Sequence, residues 1–128
     1  MLPQNAYNFK SIEEAKLLEP GEFVDICGIV TKVDDIQDIT VKNGSKLTKR
    51  PVIITDANCN TIEIALWNNL SKTIELNLKD IIIIKRGKIG NFRNTNYISV
   101  LQSSMLKIND MENEESKRLS EQNKDDIK

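Results

Sequence analysis

The 128-residue chain has no histidine and only two cysteines, Cys27 and Cys59. With so few of these side chains, neither a four-ligand zinc site nor a Ser-His or Cys-His nucleophile pair can be built within it. Both cysteines lie in apolar or strand-like settings, which favours reduced, buried or half-buried thiols and an intracellular chain over a secreted one. Long apolar runs are also missing. The run IIII from residue 81 is too short to cross a bilayer and no signal-peptide pattern opens the chain, so a soluble protein without a membrane partner is expected. Carboxylates form no convincing catalytic pair: Asp34, Asp35 and Asp38 cluster with a spacing that matches no calcium loop. Gly87 and Gly90 are not followed by a helix and so make no phosphate cradle. No enzyme, metal or cofactor is expected from these residues.

The chain does have length enough for one domain, which can bury roughly two-thirds of its unfolded surface without disulfides or metal. Its net charge of −1 hides an uneven distribution. Residues 40–100 carry 10 of the 18 Lys and Arg against 4 of the 19 Asp and Glu, whereas both ends are acidic. A local positive field is therefore expected in the middle.

Hydrophobic periodicity places the elements. Ser11 with Glu14 three residues later reads as the capping box of a short helix that Pro20 and Gly21 stop. Five main strands are expected at 22–33, 51–56, 61–67, 81–90 and 96–106, with Gly28 bending the first and Pro51 opening the second. Between the first two lie a short strand at 39–42, a turn at Asn43-Gly44 and a basic connection. Residues 68–80 fit either a helical turn or a loop, and the C-terminal segment a helical turn fraying into a charged tail. Closing five strands into a barrel removes their unpaired edges, so an all-β, small closed or nearly closed barrel with short flanking helices is expected, an architecture of which the five-stranded OB-fold barrel is one form. Its expected limits are residues 21–108, after an extension over 1–20 and before a tail over 109–128.

In TIEIALW, period two sends Ile62, Ile64 and Leu66 to one face and Thr61, Glu63, Ala65 and Trp67 to the other. The single tryptophan thus shares a polar face. Phe92 is expected in the loop joining the fourth and fifth strands. In an OB barrel both positions border the ligand groove, where aromatic rings stack nucleobases regardless of sequence. Basic residues fall near the same places: Lys42, Lys46, Lys49 and Arg50 before the second strand, and Arg86, Lys88 and Arg93 around Phe92. Arg86 and Lys88, two apart, are expected on one strand face, as a phosphate backbone would require. Asn68, Asn69, Asn91, Asn94 and Asn96 could bond base edges, or serve turns. The competing reading packs Trp67 over the barrel end as core and Phe92 under its own loop, and leaves the charges as solvated surface. A third makes the groove a protein-interaction site for an acidic peptide anchored by Trp67.

The segments VDICGIV, DITVKNGSKLTKR, IEIALW, IIIIKRGKIGNF and YISVLQSS, within residues 9–120, together resemble the second single-stranded-DNA-binding OB domain of the replication protein A large subunit. That resemblance implies stacking at Trp67 and Phe92 and contacts from Lys49 and Lys88. It also implies a nuclear protein whose partners are single-stranded DNA, other OB domains of a longer chain and further replication subunits. The loop before the second strand is about one residue shorter than usual, with Ser45 where a basic residue often stands and Lys46 beside it. A telomerase-associated paralogue, partnered by telomerase subunits and binding telomeric single strands, is a second version of the same reading. The site expected from residues and resemblance together is Trp67, Phe92, Lys88, Lys49, Lys46, Arg86, Arg93 and Asn94.

Overall fold

The structure is a computed structural model that describes residues 9–56, 58–101 and 104–109. The expected C-terminal helical turn and charged tail lie outside them. The first element is α1 (Ile12–Ala15), a single helical turn. Ser11 Oγ accepts the Glu14 N–H at 3.0 Å and Glu14 Oε1 accepts the Ser11 N–H at 3.1 Å, completing the expected capping box. The Ser11 backbone N–H, and after it the Ser11 hydroxyl, holds the Glu14 carboxyl below the usual carboxylate range. Ile12 and Ala15 are fully buried and pack into the same core as the sheet.

The strands are β1 (Phe23–Val33), β2 (Gln37–Thr40), β3 (Lys46–Thr55), β4 (Thr61–Trp67), β5 (Ile81–Phe92), β6 (Thr95–Val100) and β7 (Met105–Ile108), with α2 (Asn69–Thr73) after β4. β1 pairs antiparallel with β3, β3 with β4, β6 with β5, and β5 with β1, while β4 and β6 run parallel. Those five strands close on themselves, which is the OB barrel. β2 adds to β3 and β7 to β5. Inside are Ile26, Ile54, Ile64, Leu66, Ile84, Ile89 and Ile98, each at most 1% exposed. Each such side chain stabilises the fold by about 1.5–3 kcal/mol through burial.

Several boundaries differ from the periodic reading. The early short strand ends at Thr40 because residues 41–45 form the turn, with the Val41 N–H on the Ser45 carbonyl at 3.0 Å. Pro51 lies inside β3 and does not open it. Its missing N–H is tolerated because the β1–β3 register stops at Val33 opposite Val52, and the Pro51 carbonyl accepts the Asp34 N–H at 2.9 Å. The single strand expected at 96–106 is two, β6 and β7. The break includes a turn in which the Ser104 N–H bonds the Leu101 carbonyl and Ser104 Oγ accepts the Leu101 N–H. Cys27 is buried, but Cys59 is exposed in the β3–β4 turn at φ 63°, against the expectation of a covered thiol, and neither forms a disulfide among the described residues. Among the described residues no helix is long and apolar enough to cross a membrane.

Candidate functional site

The register fixes one outer face of the barrel. Lys49 of β3 stands opposite Trp67 of β4, Ala65 of β4 beside Ser99 of β6, and Glu63 beside Tyr97. Across β5 and β6, Lys88 pairs with Ser99, Gly90 with Tyr97 and Phe92 with Thr95. Residues opposite one another project from the same side of a sheet, so Trp67, Tyr97, Lys88 and Phe92 share one surface. The expected inward set, Ile62, Ile64 and Leu66, is buried beneath it.

Trp67 is half-buried on this outer surface and is not part of the barrel core. Its Nε1–H donates to Ser99 Oγ at 3.0 Å, which fixes the position of the indole. Tyr97 lies directly over Gly90: a Cβ there would stand 2.5 Å from Cζ of the phenol ring, so only glycine leaves the ring this position. A groove of about 380 Å³ results, lined by Trp67, Tyr97, Leu47 and Lys88 and by Gly90 and Ser99 between them.

Lys49 is placed differently from the expected phosphate contact. Its side chain is only 18% exposed, and Nζ lies 3.4 Å from Glu63 Oε2. The same ammonium stands 5.7 Å from the Trp67 ring centroid and 5.3 Å from that of Tyr97. It therefore braces the two rings while Glu63 balances its charge. Lys88 is exposed and lines the same groove as Trp67.

Phe92 is not in a loop. It is the last residue of β5, 66% exposed, and the connection to β6 is only Arg93 and Asn94, at φ 53° and 64°. Two consecutive left-handed residues are the geometry of a tight hairpin turn, which Asn accepts and Arg adopts at a cost of about 1–3 kcal/mol. The Arg93 guanidinium lies 5.1 Å from the Phe92 ring centroid. Phe92 thus belongs to the same face as Trp67 but stands beyond the groove, about 13 Å along β5 from Lys88 at the usual strand rise.

Two expected cations are elsewhere. Lys46 is exposed at the start of β3 and alternates with groove-lining Leu47, so it lies on the other side of the β2–β3 ribbon. Arg86 sits in a β-bulge, where the register jumps from Val24–Gly87 to Ile26–Ile84 and two residues of β5 stand opposite Asp25. The bulge interrupts period two, and Arg86 enters a second groove against Phe23 while Lys88 lines the first. Three of the asparagines bond within the fold, and one of them, Asn68, also lines the Trp67 groove. Asn96 is 8% exposed and its Nδ2 donates to the carbonyls of Ala15, Lys16 and Leu18, tying β6 to the end of α1. Asn91 donates to Asn96 Oδ1, and Asn68 Oδ1 accepts the Thr48 N–H.

Sequence reasoning missed Tyr97, Ser99 and Phe23. The alternation of TNYISV, with Asn96, Ile98 and Val100 buried, would have put Tyr97 and Ser99 on the outer face. Their closeness to Trp67 depends on the parallel β4–β6 register, which no local pattern announces.

A family model described as the replication protein A OB domain matches residues 12–109. The replication factor A 51 kDa subunit of Crithidia fasciculata is 35% identical over 105 residues, 81% of this chain and 22% of that protein. A replication protein A 70 kDa DNA-binding subunit of Oryza sativa subsp. japonica is 30% identical over 116 residues, 84% of this chain and 12% of that protein. The chain thus spans less than a quarter of the length of these relatives. Among solved structures, a chain of a replication protein A heterotrimer bound to ssDNA superposes with a TM-score of 0.87 at 24% identity, covering 98% of this chain and 30% of that one. A Pot1–ssDNA complex superposes at 0.63 and 14% identity over 80% of this chain and 63% of the other. These superpositions show the OB fold.

Proposed function

Because the chain belongs to the replication protein A OB-domain family, we propose that it binds single-stranded DNA on the Trp67–Tyr97 face, as one module of a longer nuclear replication protein and without catalysis. The observation that carries this reading is the built groove. Its indole is held by Ser99, its phenol is seated on Gly90, and an exposed lysine stands beside them.

The chemistry follows from the parts. A base stacked on the Trp67 ring gains roughly 1–3 kcal/mol whatever its identity, because every base has a π-face. The hydrogen bond to Ser99 removes ring freedom before the base arrives, so little ordering entropy opposes binding. Lys49, its charge balanced by Glu63, braces the rings, and Lys88 and Arg93 are the cations proposed to hold phosphates. Phe92, farther along the same face, takes a second base. Other OB domains of a longer chain and further replication subunits are the proposed protein partners.

Titrating a mixed-sequence DNA strand, a telomeric-repeat strand, the matching RNA and an acidic peptide at two salt concentrations tests the reading. Saturable binding of both DNA strands is expected, with a salt slope of about −0.7 per phosphate contact. A marked preference for the telomeric repeat would move the proposal to a telomerase-associated role. Binding of the peptide alone would replace it with a protein-interaction module.

A further inference from the structure

A second groove, of about 310 Å³, opens where β1 meets β5, lined by Lys10, Phe23, Val24, Asp25, Lys85 and Arg86. Phe23 is 47% exposed, although the chain has only three phenylalanines to bury. Arg86 occupies the left-handed region at φ 59°, which costs a non-glycine residue about 1–3 kcal/mol. Its backbone is fully engaged: the N–H donates to Asp25 Oδ1 at 3.0 Å and the carbonyl accepts from Ser104 Oγ at 2.7 Å. Glycine would keep both bonds without the strain, so the bulge itself does not call for an arginine. What the arginine adds is a guanidinium 4.4 Å from the Phe23 ring centroid, exposed to solvent.

The two grooves are neighbours on one surface. Phe23 stands opposite Lys88 in the β1–β5 register, and Lys88 stands opposite Ser99, the residue that holds the Trp67 indole. Two strand spacings, roughly 10 Å, separate β1 from β6. Three cations line the second groove against one carboxylate, Asp25, which also pairs with Lys85 at 3.6 Å. An aromatic ring supporting a planar cation is a surface on which a nucleobase stacks, and the surplus positive charge suits its phosphate.

We propose that the single-strand path does not end at Lys88 but crosses β5 into this second groove, where the Phe23–Arg86 stack holds one further base and Arg86 and Lys10 attract its phosphate. The inference rests on the single-strand reading of the Trp67 groove.

The test is a length series of oligothymidylates spanning about 4 to 16 nucleotides, the range of sites on one OB fold. It is read by the quenching of Trp67 for the wild type, Arg86→Gly and Phe23→Ala. For the wild type, affinity should rise stepwise once the strand is long enough to reach β1. In Arg86→Gly the ratio of long-strand to short-strand affinity should fall about tenfold, one stacking contact's worth. Its thermal midpoint should hold or rise, since the left-handed strain is relieved. Phe23→Ala should show the same loss of ratio. Variants that match the wild type at every length would overturn the extension and leave the Trp67 groove standing. Equal losses at all lengths would overturn it too, by making Arg86 a general electrostatic contributor. Displacement of an acidic peptide by these substitutions, with long-strand affinity intact, would assign the groove to a protein partner instead. A wild type that binds no strand of any length would remove the single-strand reading and this inference together.

Discussion

Trp67 and Phe92 stand toward opposite ends of one sheet face and are held in opposite ways. The indole is half-buried, hydrogen-bonded to Ser99 and braced by Lys49, whose own charge is matched by Glu63. The phenyl ring is 66% exposed at the tip of the β5–β6 hairpin, touched by an arginine that the turn holds in a left-handed conformation. On the proposed function, one platform is already organised when a base arrives, whereas the other would have to order itself on binding. Equal stacking chemistry should therefore yield unequal affinity, because side-chain ordering at the open end offsets part of its gain.

Substitutions can break or sharpen that contrast. The largest effect is expected for Trp67→Ala, which should weaken oligonucleotide binding by about 1–3 kcal/mol. It should lower stability by about 1 kcal/mol through the lost hydrogen bond, far less than the ~3–5 kcal/mol of a core tryptophan, as calorimetry would read. Next comes Lys88→Glu, expected to cost about 1.5 kcal/mol of binding and to flatten the salt slope by about 0.7, measurable by titration at several salt concentrations. Phe92→Ala should follow, near the lower limit of about 1 kcal/mol in binding, with an unchanged thermal midpoint. A loss equal to that of Trp67→Ala would erase the proposed difference between the two ends. The smallest is Ser99→Ala, roughly 0.5–1 kcal/mol in both binding and stability, because it frees the indole without removing it. Faster indole depolarisation in that variant would mark Trp67 becoming as mobile as Phe92.

Local pattern made much of this visible. Period two separated Ile62, Ile64 and Leu66 from Trp67, the capping box marked α1, and the strand count led to a closed barrel. What local pattern does not carry is register. That Lys49 faces Glu63 and two rings follows from how β3, β4 and β6 align, and alone it looked like a phosphate ligand. The bulge at Arg86 arises from its pairing with Asp25, 61 residues earlier in the chain, so the simple alternation of Arg86 with Lys88 could not foresee the second groove. Lys46 stands apart from the groove for a related reason: β3 begins five residues before Pro51, and the added alternation turns Lys46 to the other side of the ribbon. The asparagines were ambiguous because the side chain that bonds a base edge also satisfies a helix end, and Asn96 does the latter three times over.

As the chain's single tryptophan, Trp67 reports on the groove without labelling. Its emission, followed while a mixed-sequence DNA strand is added at low salt, is the most direct measurement. Saturable quenching that Ser99→Ala weakens and added salt reverses is the expected result. Emission indifferent to the strand, while another probe shows the strand bound, would place the DNA elsewhere and contradict the account.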